Sequence, residues 1–242
     1  MTIQQFHREF KVFFDKVDSA AYPEFLDGEI DIYLNEAQAR LVKHRYGRNN
    51  IFRAGFEQIQ KRTDDLKNLV RTRFASISPE TSYQYISDNV YRADLNSLYN
   101  DGDLTIPATD NYQFYLKSTA QTCDSVECCT WSKVKLAKHD DISTIAHDPF
   151  NKPTKTRPII FFEDGDVFIW TAKGLSINGF QVTFVAEPVQ MNIGTYGETL
   201  TECELSPHLH KEILQDAINI ALENLSSPRV QTQGPVNTQQ TE

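Results

Sequence analysis

The sequence predicts an α+β protein in which N-terminal helices and one C-terminal helix form a helical bundle. A large antiparallel β insertion, barrel- or sandwich-like, lies between them. Three observations carry this reading. Apolar residues up to about position 78 recur every three or four residues, the period of one helix face. From 79 to 204, short β-branched and aromatic segments alternate with turn residues, as strands do. After Ser206-Pro207 the helical period returns. The expected organisation is therefore helices over 1–78, a β-rich domain over 79–204, a closing helix over 205–226 and a flexible tail over 227–242.

Phe6, Phe10, Phe13 or Phe14 and Val17 place rings on one stripe of a first helix, from Thr2 to about Val17, which ends before Tyr22-Pro23. A second helix opens near Gly28, carries Ile30, Leu34, Ala37, Leu41 and Tyr46, and stops at Gly47. Its acids lead and its bases trail, as the helix dipole favours. A third is expected from near Phe52 through Phe56, Ile59, Leu66 and Leu69 to about Phe74.

The β segments read as SYQYI, NVYRADL, QFYLKSTA, WSKVKLA, RPIIFFE, DVFIWTA and FQVTFVA. Glu163-Asp164-Gly165-Asp166 and Asn178-Gly179 both read as hairpin turns, because Asp-Gly and Asn-Gly tolerate the positive φ that such turns demand. Ser206 supplies an N-cap and Pro207 a first-turn proline for the last helix, which runs through Ile213, Ala217, Ile220 and Leu225. The polar stretch after Ser227 has almost nothing to bury and is expected to be disordered alone.

Net charge is −9, unevenly spread. Residues 1–78 hold 13 Lys and Arg against 11 Asp and Glu, and the rest of the chain 11 against 22. That acidic part is poorly suited to wrapping nucleic acid, which requires clustered cations. No segment approaches the length of a membrane span, and the N-terminus lacks the apolar run of a signal peptide. Three of the four cysteines, Cys123, Cys128 and Cys129, crowd together apart from Cys203; with no export signal they read as reduced thiols.

Motifs for catalysis are missing: there is no phosphate loop, nucleophile elbow or His-Glu-x-x-His. Cys123, Cys128 and Cys129 with His139 and His147 could be drawn together on zinc, but the spacing departs from structural zinc sites, and small, partly buried free thiols are the simpler reading. His208 and His210 read as surface histidines. Asp140-Asp141 and Glu163-Asp164-Gly165-Asp166 read as acids of turns. Lys43, His44, Arg45, Arg48 and Arg53 read as a helix end and a solvated loop. Trp131 and Trp170 lie in apolar strands that read as buried.

The stretch FLDGEIDIYLNEAQARLVKHRYG, followed by KRTDDLKNLV, resembles the N-terminal signature of ring or connector proteins of crAss-like, Bacteroides-infecting podoviruses. HDPFNKPTKTRPI, FVAEPVQMN and ELSPHLHKEILQDAINIALENLSSPR are similar to later elements of that family, in order. The resemblance implies a virion structural protein of the neck, assembled in the host cytoplasm as a closed homo-oligomeric ring of twelve. Such a ring sits below the portal, touches other neck ring or tail proteins and surrounds a DNA channel. It implies no enzymatic activity, catalytic residue, cofactor, metal or membrane. Nothing in the family resembles the Cys123–Cys129 segment.

Candidate contacts with a neighbouring subunit or the portal are Asp148, Pro149, Phe150, Lys152 and Pro153, with Arg229, Val230 and Gln231 in the tail. An aromatic held between prolines is an economical interface anchor; the competing reading is that Phe150 plugs its own domain's core. The alternative function is a monomeric β-rich binding module of a phage tail or fibre accessory protein.

Overall fold

The computed structural model describes residues 1–17, 25–47, 56–80, 89–124, 128–194 and 199–224. The chain forms two compact units, one from Met1–Leu69 with Pro188–Glu242 and the other from Val70–Glu187.

In the first unit, α1 (Ile3–Val17) and α2 (Asp27–Tyr46) form where the phenylalanine and leucine spacing predicts them. Phe6, Phe10 and Phe14 are buried, and Phe10, Phe14, Phe25 and Tyr33 pack ring on ring. Glu29 caps α2 by accepting the Leu26 N–H at 2.9 Å. One stripe of α2 is polar yet buried or half-buried, and it holds the chain that returns after the sheet. Asn35 exchanges two hydrogen bonds with the Met191 backbone, Gln38 Nε2 donates to Val189 O at 3.0 Å, and Asp31 Oδ2 accepts the Ile193 N–H. The bundle is closed by α5 (His210–Asn224), entered through a short 3-10 turn at Pro207–Leu209. Ser206 precedes that turn as expected but makes no side-chain cap.

The third helix is much shorter than the sequence predicts. It is α3 (Gln60–Leu66), and Val70–Glu80 is strand β1. The stretch VRTRFASI alternates as well as it turns, and pairing with two strands decides the matter. Phe52, Pro23 and the SYQYI segment lie outside the described residues.

The second unit is an eight-stranded sheet in the order β4-β3-β8-β1-β2-β7-β6-β5, forming a nearly closed barrel. The strands are β2 (Val90–Tyr99), β3 (Tyr112–Cys123), β4 (Cys129–Lys133), β5 (Lys135–Leu136), β6 (Ile159–Glu163), β7 (Asp166–Trp170) and β8 (Ser176–Ala186), with helix α4 (His139–His147) between β5 and β6. Pairing is antiparallel except for the short parallel contact of β5 with β6. All five residues of β7 are buried because both its faces are covered. Val167 and Ile169 join the core with Phe180, Val182 and Phe184; Phe168 and Trp170 join Phe161 and Ile145 of α4 in a second cluster.

The β6–β7 turn is the predicted hairpin, with Asp164 at φ 53° and Gly165 at φ 82°, the pattern of a type I′ turn. Asn178-Gly179 is not a turn. Strand β8 runs straight through it, with a register shift that sets Gln121 opposite Gly179 and Thr122 opposite Ile177; Asn178 is the extra residue of a bulge. Gly179 has a packing role instead: a Cβ there would lie 3.0 Å from Trp131 Cη2. Trp131 covers that glycine and remains 46% exposed, contrary to expectation, whereas Trp170 is buried.

Cys123 and Cys129 are not free thiols. They face each other across β3 and β4, with Cα atoms 4.1 Å apart, and are joined as a disulfide. Direct cross-strand pairing brings the two Cβ atoms within bonding range, a proximity that the spacing of cysteines in sequence does not reveal. Cys128 and Cys203 remain free.

Candidate functional site

The predicted contact residues group at the end of α4. The Asp148 N–H closes that helix by donating to Thr144 O and Ile145 O. Its carboxylate then turns the chain: Oδ1 accepts the Phe150 N–H at 2.9 Å and Oδ2 accepts Asn151 Nδ2 at 2.5 Å. The Asn151 bond, followed by the Phe150 N–H, holds the Asp148 carboxyl below the usual range for an aspartate. The loop is fastened by its own side chains, an Asx-type arrangement.

What the loop displays is Phe150, 92% exposed. The reading that Phe150 plugs its own core is therefore overturned. Pro149 and Lys152 are exposed beside it, while Pro153 is buried and anchors the base. Further along, Thr154 and Arg157 exchange two backbone hydrogen bonds, and Thr122 Oγ1 donates to Lys155 O at 2.8 Å. Arg229, Val230 and Gln231 lie outside the described residues.

The other constellations are spent on the fold. Cys123 and Cys129 are bonded to each other, and the rings of His139 and His147 are hydrogen-bonded to Phe162 O and Ser143 O. Asp140 and Asp141 occupy the first turn of α4 rather than a loop, where acids suit the helix dipole. Asp166, 2% exposed, pairs with Arg92. Among the described residues no three His, Cys, Asp or Glu side chains converge as for a metal ion.

Arg45, expected at a solvated helix end, is buried. Its Nε lies 2.9 Å from Asp65 Oδ2 and its Nη2 lies 2.7 Å from Glu212 Oε1. His208 completes the cluster at 2.7 Å from Asp65 Oδ1. Arg48 and Arg53 lie outside the described residues. His208 is exposed, as its reading as a surface histidine expects, but His210 is not. It is 4% exposed, bonded to Leu205 O, and lies 2.6 Å from the terminal amine of Met1; burial, before other causes, lowers its pKa. No helix among the described residues is long and apolar enough to cross a membrane.

Sequence reasoning missed two exposed apolar features of the sheet unit: Trp131 on β4, and the loop after β2, where Leu104 and Ile106 are exposed. Asp101-Gly102-Asp103 ahead of Leu-Thr-Ile was the available signal for that loop.

The first unit thus buries a paired charge cluster, and the second exposes apolar side chains on hydrogen-bonded loops. The chain belongs to the phage tail ring protein 3/4 family, which it matches over residues 1–232. It is similar to ring protein 3 of Bacteroides phage crAss001, 25% identical over 203 residues covering 80% of this chain and 83% of that protein. It is also similar to ring protein 4/5 of the same phage, 23% identical over 237 residues covering 91% and 92%. The chain is thus a phage structural ring protein and a component of the virion.

Proposed function

We propose that this protein is a subunit of a closed, twelve-membered ring in the head-to-tail connector of a podovirus-like virion. The ring docks below the portal, abuts other neck or tail proteins and helps retain and channel packaged DNA. It assembles in the host cytoplasm. The observation that carries the reading is the family match across residues 1–232. A closed ring needs two different complementary faces on each subunit, and the fastened, exposed Phe150 suits one of them. The net charge of −9 suits a channel along which DNA slides without adhering. Residues 227–242, with Arg229, Val230 and Gln231, contact the portal or an adjacent subunit in this reading.

Chromatography with light scattering, on the chain alone and mixed with its portal, tests this. Joint elution with the portal that is lost when residues 227–242 are removed supports the reading; a chain that ignores the portal overturns the docking. One observation favours a second reading, a monomeric β-rich binding module: Trp131 lies exposed on β4, as a ligand-stacking ring would. A chain that stays monomeric and binds sugar or peptide through Trp131 would bring that reading forward.

A further inference from the structure

The loop Asn100–Pro107 is closed by its own hydrogen bonds and by a bridge between Tyr99 and Pro107. The Asp101 carboxylate accepts three hydrogen bonds within it, from Thr105 Oγ1 at 2.5 Å, the Thr105 N–H at 3.2 Å and the Ile106 N–H at 3.0 Å. The Thr105 bond, then that of Ile106, lowers the Asp101 pKa. Asn100 N–H donates to Ile106 O, and Ala108 N–H to Leu98 O, closing the loop at its base. So fastened, Leu104 is kept at φ 57°, a left-handed conformation that a leucine adopts only when its surroundings impose it. The result is a hydrogen-bonded loop bearing Leu104, 37% exposed, and Ile106, 56% exposed. Apolar side chains displayed on a loop already ordered lose little entropy on association.

The same device recurs at the other end of the sheet. Tyr99, which leads into this loop, pairs with Phe74 in the middle of β1. The connection bearing Phe150 enters β6 at Ile159, which pairs with Trp170; Trp170 pairs with Val90, and Val90 with Glu80 at the end of β1. The two loops differ in charge. Asp103 is exposed beside Leu104, and nearby Arg71 and Arg73 are engaged by Asp110. The Phe150 connection exposes Lys152 and Arg157 and half-exposes Lys155.

We propose that the Asn100–Pro107 loop is a preformed interface element that seats against the Phe150 connection of a second copy of this chain, acidic and apolar surface against basic and apolar surface. The inference rests on the ring reading above and deepens it by naming the mating elements. Two unlike, complementary ends on one unit are what a head-to-tail contact requires, and opposite charges on them set its orientation.

The test is a charge exchange in the full chain, read as native mass over a concentration series. Asp103→Lys alone, and Lys152→Glu with Arg157→Glu, should each raise the concentration for half-assembly by about tenfold or more, the scale of one lost interface anchor. All three changes in one chain should recover most of that loss. Ile106→Ser should weaken assembly without altering charge; all these side chains are exposed, and an unchanged thermal transition verifies the fold. Assembly indifferent to every variant, or no recovery in the triple variant, overturns the proposal while leaving the ring reading in place. Where the wild-type chain forms rings only on the portal, the same variants are read there, and portal-bound rings indifferent to all of them overturn the self-contact while leaving the portal reading in place.

Discussion

The side-chain amide of Asn35 pairs with the backbone of Met191 as a neighbouring strand would: Nδ2 donates to the Met191 carbonyl at 2.9 Å and Oδ1 accepts its N–H at 2.7 Å. Met191 is 1% exposed, and both bonds are part-buried. Asn35→Ala should lower stability in urea unfolding by roughly 2–3 kcal/mol, the cost of leaving buried backbone groups unpaired. Asn35→Asp keeps the acceptor, loses the donor and should also destabilise.

In the helical unit, burial first and the adjacent Glu212 second push the Asp216 pKa up to about 6, against the pull of Arg40 and Arg45. Between about pH 4 and 6 the folded chain therefore holds a proton that the unfolded chain has released, and stability falls as pH rises through that window. Asp216→Asn should raise stability at pH 7–8 by roughly 2 kcal/mol, after a discount for partial exposure, and give no gain near pH 4. Glu212, its pKa also raised by burial, should keep part of the slope in that variant. Denaturant midpoints across pH check this.

Trp131 rests on Gly179, whose missing Cβ would stand 3.0 Å from Cη2 and 3.2 Å from Cζ2. Gly179→Ala should displace the ring, increase its quenching by acrylamide and cost about 1 kcal/mol, the scale of a modest steric mismatch. Unchanged quenching would show that the indole is placed by something other than this contact.

The cysteines should titrate unequally. Cys128 is exposed, while burial raises the pKa of Cys203, so an aryl disulfide reagent should find one fast and one slow thiol per native chain. Cys123 and Cys129 should react only after reduction. Reducing that bond should cost the sheet unit about 2 kcal/mol, since the ring it closes is short.

The sequence makes most elements legible where local chemistry and burial agree. The phenylalanine spacing of α1 and the Asp164-Gly165 turn are of this kind. It misleads where a partner strand decides. VRTRFASI carries both periods and becomes β1 because β2 and β8 flank it. Asn178-Gly179 has turn chemistry but lies in a bulge facing β3, where the glycine admits an indole. Arg45 and His210 read as solvated because their partners Asp65, Glu212, Leu205 and Met1 are distant in sequence. The Phe150 loop was legible because prolines and a short Asp turn mark it locally. The Leu104 loop was legible only as a turn, through Asp101-Gly102-Asp103; the display of Leu104 depends on a backbone angle that no local pattern announces.

Electron microscopy of the purified chain, alone and with its portal, bears most directly on the central claim. Closed, rotationally symmetric rings of twelve copies, formed by the chain itself or on the portal, are the expected result. Particles that remain single subunits in both conditions would contradict it.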